Sequence, residues 1–144
     1  MISMIVAADE NNAIGFENKL LCRLKDDMNH FVSTTKNKPV IMGYKTFESL
    51  GCKPLKNRFN IVLTRAPMAM TIVHAELLNK DDNIIFESFD YVQFMIEQSP
   101  DTEFVVIGGQ QIYELFLPIT SRIYLTHIRH TFVNADSYFP LINE

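Results

Sequence analysis

The sequence predicts an α/β fold: a single domain over residues 1–144, built on a mainly parallel, twisted sheet with helices on both faces. Short continuous apolar runs, typical of strands that are covered on both sides, alternate with segments in which apolar residues recur at helical spacing. That alternation is typical of a parallel sheet, because each strand is followed by a helix that crosses back over it. The length of 144 residues and the 47% hydrophobic content suit one packed interior.

The first half of the chain carries three apolar runs that predict strands and two segments that predict helices. The predicted elements are a strand over 2–8, a long polar loop over 9–23, a helix over 25–35, a strand over 38–43, a helix over 44–50 and a strand over 58–64. Met28, Phe31 and Val32 recur at the spacing of one helical face. Gly51 follows the second helix and is the residue type that most often ends one.

The second half continues the alternation after a polar stretch. Residues 65–83 predict a surface loop, with an extra strand around 71–74 as the alternative. The further predicted elements are a strand over 83–86, a helix over 89–97, a strand over 103–109, a helix over 110–117 and a strand over 122–128. Ser88 is a favourable N-cap for the helix over 89–97. We expect the inward face of that helix to consist of Phe89, Val92, Met95 and Ile96.

Composition and charge exclude several classes of function. The net charge is −4, from 13 basic and 17 acidic residues, which argues against general binding of nucleic acid because that function needs a basic face. The N-terminus has no signal-peptide pattern, and no apolar run is long enough to span a membrane. Cys22 and Cys52 lack the spacing of a metal site, and we expect free thiols in a reducing, cytoplasmic setting and no bound metal.

Two predicted strand-to-helix junctions contain glycine, in the stretches "MGYKT" (42–46) and "IGGQQ" (107–111). A helix N-terminus favours anions, and glycine lets a ligand approach the backbone closely. Each junction alone is more often a tight turn, but two of them in one small sheet suggest a ligand with more than one phosphate. Neither junction is a GxGxxG or Walker pattern. Lys45 and the pair Thr64–Arg65 add polar groups at the same end of the sheet, although these side chains also fit the pattern of a solvated surface.

The stretch "LKDDMNHF" (24–31) places two carboxylates in the first turn of the predicted first helix. Asp27 precedes Phe31 by four residues and so shares its inward face, whereas Asp26 shares a more exposed stripe with His30. A buried carboxylate needs a partner, and burial raises its pKa, so Asp27 is the candidate site residue. Arg58 opens a predicted strand and is either a clamp for a carboxylate or an ordinary edge charge.

Six ordered stretches resemble the dihydrofolate reductase family over nearly the whole chain. They are "MISMIVAADENNAIGFENKL", "LKDDMNHF", "NKPVIMGYKTFESLG", "RFNIVLTR", "VVIGGQQIYELFLP" and "IYLTHI" with "DSYFP" behind it. The resemblance implies reduction of 7,8-dihydrofolate to 5,6,7,8-tetrahydrofolate by hydride transfer from NADPH. It also implies a cytoplasmic, monomeric enzyme of one-carbon metabolism that antifolates inhibit.

The resemblance also implies roles for particular residues. Asp27 matches the family's single active-site acid, which binds the pterin and promotes protonation at N5, and Thr126 matches the hydroxyl that contacts that acid. Substrate contacts are implied for Ile5, Met28, Phe31, Leu50, Leu55 and Arg58, the last to the glutamate α-carboxylate. Cofactor contacts are implied for Ala7, Ile14, Gly15, Gly43, Tyr44, Lys45, Thr46, Thr64, Arg65, Ile107, Gly108, Gly109, Gln110, Gln111, Ile112 and Tyr113. The Gly108–Gly109 peptide bond is cis in the family.

Several positions depart from the family pattern. Cys22 stands where the family commonly has a tryptophan in the loop over the substrate, and Leu21 replaces a proline. Tyr44 stands where bacterial members often have the arginine that binds the cofactor 2′-phosphate. Thr64 and Arg65 remain for that contact, so we expect NADPH rather than NADH. Gln110 replaces a glycine or alanine, which we expect to be tolerated.

The end of the sequence also differs, because family members continue with two further strands after "DSYFP". Their absence would leave the strand over 122–128 as an open apolar edge. The alternatives are a naturally short enzyme, a dimer that covers this edge, and a truncated product. Two other functions stay open: a non-catalytic folate- or nucleotide-binding relative, and a reductase of another pterin or of a riboflavin precursor. Arg58 favours a substrate that carries glutamate.

Overall fold

The computed structural model describes residues 1–8, 13–16, 19–20, 31–80, 83–127 and 137–138, and the side chains of 1–7, 31–80 and 83–125. The strands are β1 (Ile2–Ala8), β2 (Ala13–Phe16), β3 (Lys19–Leu20), β4 (Val40–Gly43), β5 (Asn60–Leu63), β6 (Ile84–Glu87), β7 (Phe104–Gly108), β8 (Thr120–His127) and β9 (Ser137–Tyr138). The helices are α1 (31–35), α2 (Tyr44–Ser49), α3 (Pro67–Val73), α4 (Ala75–Lys80), α5 (Phe89–Gln98) and α6 (Gln110–Phe116), which a 3₁₀ turn follows (Leu117–Ile119).

Six strands form one sheet in the order β6-β5-β4-β7-β1-β8, and every neighbouring pair is parallel. The predicted parallel sheet is therefore confirmed. All six strands end on the same side of the molecule, which we call the carboxyl edge, and begin at the opposite amino edge. A second, smaller sheet pairs β2 with β3 and β9 in antiparallel fashion.

Helices cover both faces of the large sheet, as the sequence predicts. On one face, α5 and α6 pack on strand residues through Val92, Phe116 and Tyr113. The strand side chains on this face are Ile2, Met4, Val6, Ile41, Ile61, Leu63, Phe104 and Val106. On the other face, α2, α3 and α4 cover the strand residues Val40, Met42, Val62, Ile84 and Phe86. Alternate residues of β4 and β5 thus point to opposite cores, which explains why Val40–Met42 and Ile61–Leu63 are apolar without a break.

The region over 65–83 differs from its prediction. It contains α3 and α4 rather than a loop or a strand at 71–74. Pro67 occupies the first turn of α3, where its fixed φ suits a helix and its missing N–H is not needed. Met70, Leu77 and Leu78 pack against the second core at helical spacing. The polar loop predicted over 9–23 likewise contains β2 and β3.

The other elements lie within two residues of their predicted bounds. Ser88 caps α5, because its hydroxyl oxygen accepts a hydrogen bond of 3.3 Å from the Tyr91 N–H. Gly51 follows α2 with φ +75°, as expected after a helix. In α1, Val32 is 47% exposed, and the buried position is Thr35. Residues 25–30 of the predicted first helix lie outside the described residues.

A polar network joins three strands at the amino edge. Ser3 Oγ and the Tyr124 hydroxyl donate to Glu103 Oε2 at 2.6 and 3.2 Å, and Lys38 Nζ lies 3.1 Å from Glu103 Oε1. Burial alone would raise the pKa of Glu103, but these hydrogen bonds and the charge of Lys38 outweigh it and lower that pKa. Glu103 is therefore a carboxylate that joins the start of β1 and of β7 to the middle of β8.

Among the described helices, none is long and apolar enough to cross a bilayer. Within the same residues, no three His, Cys, Asp or Glu side chains cluster as metal ligands would.

Candidate active site at the carboxyl edge

The two glycine junctions meet at the carboxyl edge. Met42 pairs with Gly108, so β4 and β7 end side by side, and α2 and α6 begin there after Gly43 and Gly109. A Cβ atom built on Gly43 would lie 2.8 Å from Ile112 Cγ1, and one built on Gly109 would lie 3.6 Å from Thr46 Oγ1. The two junctions therefore lie against each other, and a side chain at Gly43 would force the Ile112 side chain of α6 to move.

Gly108 and Gly109 are joined by a cis peptide bond, as the resemblance implies. Gly108 has φ +125°, a conformation that L side chains rarely adopt. A Cβ atom there would also lie 3.3 Å from the Tyr113 hydroxyl oxygen. Glycine is thus required at this position by both backbone conformation and space.

Tyr113 links α6 to β1, which lies between β7 and β8 in the sheet. Its side chain is only 4% exposed, and its hydroxyl donates a 2.8 Å hydrogen bond to the Ile5 carbonyl oxygen. Burial strongly raises the pKa of Tyr113, so the phenol stays neutral and remains a donor. Two residues along β1, Ala7 lies opposite Thr126 of β8 in the strand register. Ile5, Ala7, Tyr113 and the backbone of Thr126 therefore come together near the end of β1.

Tyr44, the first residue of α2, makes a contact that the sequence did not reveal. Its hydroxyl oxygen lies 2.8 Å from His74 Nε2, and the His74 ring stacks on Phe86 at a centroid distance of 5.2 Å. Burial, together with the nearby Cys52 and Glu48, raises the pKa of Tyr44. Tyr44 is thus a neutral, half-buried wall beside the first glycine junction.

Thr64 and Arg65 follow β5 directly beside that junction, since Leu63 pairs with Gly43. The Thr64 hydroxyl oxygen accepts a 3.1 Å hydrogen bond from the Ala66 N–H, and Arg65 is exposed. The neighbouring strand β6 ends at Glu87, whose pKa burial raises. The structure thus brings together the two positions that the sequence proposed for the cofactor 2′-phosphate.

The other cofactor candidates lie on the first turns of α2 and α6 or just before α6. Lys45 and Gln111 are exposed. The side-chain amide of Gln110 donates to Glu114 Oε1, one turn along α6, at 3.2 Å. Ile107 is half-buried against the second core.

A second group of candidate residues lies where β5 begins. Leu50 and Leu55 are half-buried and pack against the core formed with α2, α3 and α4. Arg58 donates from Nε to Thr35 Oγ1 at 2.9 Å and from Nη1 to the Lys56 carbonyl oxygen at 2.8 Å. Since β5 has four residues and spans roughly 13 Å, an elongated ligand could reach from this group to the glycine junctions.

The remaining predicted residues are described in part or not at all. Ile14 and Gly15 lie in β2 and Thr126 in β8, and only their backbone is described. Asp27, Cys22 and Met28 lie outside the described residues. Phe31 is half-buried in α1, and its carbonyl oxygen accepts a hydrogen bond from the Thr35 hydroxyl. Sequence reasoning missed Thr35, although it follows Phe31 by one helical turn.

Sequence comparisons identify close relatives of this chain. The family model described as dihydrofolate reductase matches residues 1–144. Dihydrofolate reductase of Haemophilus influenzae is 40% identical over 141 residues, which are 98% of this chain and 79% of that protein. Dihydrofolate reductase of Bacillus subtilis is 38% identical over 148 residues, covering 100% of this chain and 78% of that protein.

The fold also matches a solved structure. Dihydrofolate reductase from Enterococcus faecalis, complexed with NADP(H) and RAB-propyl, superposes with a TM-score of 0.78 at 30% sequence identity. The match covers 99% of this chain and 79% of that one.

Proposed function

The chain belongs to the dihydrofolate reductase family, and on that premise we propose which of its residues carry the reaction. It is an NADPH-dependent oxidoreductase that reduces 7,8-dihydrofolate to 5,6,7,8-tetrahydrofolate. The assignment of residues rests mainly on one observation: the two glycine junctions lie side by side at the carboxyl edge. A cofactor with several phosphates needs such a backbone surface, because side chains would keep the phosphates away from the N–H groups.

The residues around the junctions fit NADPH. Gly43 and Gly109 precede α2 and α6 without a capping side chain, so the first N–H groups of both helices can donate to phosphate oxygens. Thr64 and Arg65 bind the 2′-phosphate in this proposal. The Thr64 hydroxyl oxygen accepts from the Ala66 N–H, and in this proposal its O–H donates to a phosphate oxygen. When bound, NADPH supplies the hydride that reduces the pterin ring.

The reacting rings lie beside β1 in this proposal. Tyr113 holds the Ile5 carbonyl in place through its 2.8 Å hydrogen bond, which fixes the wall between the nicotinamide and pterin positions. The backbone of Ala7 and of residues 14 and 15 binds the carboxamide. Asp27 accepts hydrogen bonds from pterin N3 and the 2-amino group, and its negative charge favours protonation at N5. Thr126 contacts that acid.

The remainder of the substrate extends toward the start of β5. Met28, Phe31, Leu50 and Leu55 form the apolar walls around the aminobenzoyl ring. Arg58 is half-buried and receives the glutamate α-carboxylate, for which a planar guanidinium provides two parallel hydrogen bonds. This contact distinguishes dihydrofolate from pterins and riboflavin precursors that carry no glutamate.

The first experiment is to follow absorbance at 340 nm with purified protein, NADPH and dihydrofolate. We expect loss of absorbance that requires both substrates, is slower with NADH and is blocked by an antifolate. Tight binding of NADPH without turnover would instead support the non-catalytic relative. Equal kcat/KM for dihydrofolate and for a dihydropterin without glutamate would support a reductase of another pterin.

We propose a monomer as the functional unit. In the described sheet, β8 is an edge strand, and a dimer that pairs two such edges is the alternative. Light scattering on the protein as it leaves a size-exclusion column, with and without NADPH, distinguishes the mass of a monomer from that of a dimer.

A further inference from the structure

We propose that Thr35 is a positioning residue, whose buried hydroxyl orients the Arg58 guanidinium toward the glutamate α-carboxylate of dihydrofolate. The inference rests on the proposed function, which assigns that carboxylate to Arg58. It adds a residue that does not touch the substrate and acts only through the arginine.

The direction of each hydrogen bond at Thr35 follows from the chemistry of its neighbours. The Thr35 side chain is completely buried, and its hydroxyl donates to the Phe31 carbonyl oxygen at 2.8 Å. The hydroxyl hydrogen is therefore committed, and the oxygen faces Arg58 as an acceptor only. Because a guanidinium has no acceptor atom, Arg58 Nε must donate across the 2.9 Å contact.

Arg58 is held at a second point, which fixes the plane of the guanidinium. Its Nη1 donates to the Lys56 carbonyl oxygen at 2.8 Å. With Nε and Nη1 both anchored, the planar group cannot rotate, and Nη2 points in one direction. In the part of the chain that the structure describes, the protein contacts of Arg58 are those of Nε and Nη1. The second N–H of Nη1 and one N–H of Nη2 are parallel, and we assign this pair to the carboxylate.

The backbone beneath Arg58 is fixed independently of Thr35. The fully buried amide of Asn60 donates to the carbonyl oxygens of Arg58 and Leu55 at 2.9 and 3.0 Å. Its Oδ1 accepts from the Leu55 N–H at 2.9 Å. Because Asn60 fixes the backbone from which the side chain begins, the hydrogen bonds that Arg58 donates to Thr35 and to the Lys56 carbonyl oxygen set the position of the guanidinium.

The test replaces Thr35 with valine, which keeps the shape and removes the hydroxyl. Its readout compares dihydrofolate with 7,8-dihydropteroate, the same molecule without glutamate. We expect Thr35→Val to raise KM for dihydrofolate about tenfold, as the loss of one oriented hydrogen bond to a charged group predicts. The kcat for dihydrofolate and both constants for dihydropteroate should stay unchanged, and Thr35→Ser should restore the wild-type KM.

Thr71→Val is the matched control. The Thr71 hydroxyl also donates to the carbonyl four residues earlier, that of Pro67 at 2.8 Å, but Thr71 is exposed and bonds no arginine. It should leave both substrates unaffected. Thr35→Ala, studied in parallel, keeps the test valid if valine destabilises the fold, because it removes the hydroxyl without placing a second methyl group against Arg58.

A double variant tests whether Thr35 acts through Arg58. In an Arg58→Leu background, Thr35→Val should produce no further rise in KM for dihydrofolate. A further rise, or an equal effect of Thr35→Val on dihydropteroate, would overturn the inference and leave Thr35 with a purely structural role.

Equilibrium binding separates this inference from the proposed function. Calorimetry with folate and pteroate measures the affinity ratio that the glutamate provides, and it needs no turnover. A wild-type protein that prefers folate without reducing dihydrofolate would refute the proposed function, while loss of that preference in Thr35→Val would still support the inference. No change of the ratio in Thr35→Val would refute the inference alone.

Discussion

Replacement of Asn60 by alanine should destabilise the fold more than any exposed substitution. The side-chain amide is completely buried at the start of β5. Its nitrogen donates to three carbonyl oxygens, those of Leu55, Arg58 and Asn83, at 3.0, 2.9 and 3.2 Å. Its oxygen accepts from the Leu55 N–H at 2.9 Å. Truncation removes all four contacts together.

The magnitude follows from what is left behind. Two amide hydrogens serve three carbonyls, so we count about three full hydrogen bonds, each worth about 1 kcal/mol when its buried partner loses it. The missing amide group leaves a small cavity that costs about 1 kcal/mol more. The expected loss is about 4 kcal/mol, a large part of the roughly 5–15 kcal/mol that stabilises a domain of this kind. The melting temperature should fall by roughly 10 °C.

Urea denaturation of both proteins, analysed by linear extrapolation, measures this difference. Asn79→Ala is the control, because Asn79 is exposed on α4 and its replacement should change stability by no more than about 0.5 kcal/mol. If Asn60→Ala lowered the free energy of unfolding by less than about 1 kcal/mol with an unchanged m-value, the amide would not be what holds residues 55–60 together.

Three further predictions concern the carboxyl edge, the amino edge and the proposed acid. Gly43→Ala should weaken NADPH binding at least about tenfold, because the new Cβ atom would lie only 2.8 Å from Ile112 Cγ1 and would push that side chain aside. Fluorescence titration measures the NADPH affinity. Glu103→Gln should be less stable than the wild type at neutral pH, and this difference should shrink as acid denaturation curves pass below the lowered pKa of Glu103. Asp27→Asn should nearly abolish dihydrofolate reduction near neutral pH while NADPH binding persists, and Asp26→Asn should do little, as initial rates at 340 nm will test.

Each of these predictions has an outcome that contradicts it. Gly51→Ala is the control for the first, since Gly51 has φ +75° and open space around it; it should cost about 1 kcal/mol of stability without changing NADPH affinity. The sign for Glu103 is fixed by its lowered pKa: its stabilisation is complete above the unfolded-state pKa and is lost as the pH falls through the folded-state value. A stability difference that grew in acid would therefore be incompatible with this account. Equal losses in the variants of Asp26 and Asp27 would disprove the assignment of their faces.

The sequence predicted the parallel sheet because strands such as β4 and β5 are buried on both faces and hence contain unbroken apolar runs, Val40–Met42 and Ile61–Leu63. It failed over 65–83 because Thr71, Ile72 and Val73 favour strand locally. The helical signal was present in Pro67 and in the later spacing of Met70, Leu77 and Leu78. The segment is helical because burial of one helical face against the sheet outweighs the local preference for strand.

The candidate site was predictable to the extent that it depends on local patterns. Glycine at a strand end is visible in the sequence, and so both junctions were found. The contacts of Tyr44 with His74, of Tyr113 with Ile5 and of Arg58 with Thr35 join residues 30, 108 and 23 positions apart. Such pairs depend on the order of strands in the sheet, which no local pattern specifies.

The position of β1 inside the sheet, between β7 and β8, has a consequence for synthesis of the chain. The amino group of Met1 bonds the carbonyl oxygen of Thr102, 101 residues later, and β1 pairs only with β7 and β8 in the described sheet. By contrast, β4 pairs with β5 and β5 pairs with β6, so these three strands meet partners that are near in sequence. At about 5–20 residues per second, a ribosome would expose the apolar β1 for roughly 5–20 s before β7 emerges. We therefore expect nascent chains arrested before residue 104 to stay protease-sensitive in β1, and the half around β4 to β6 to become protected first.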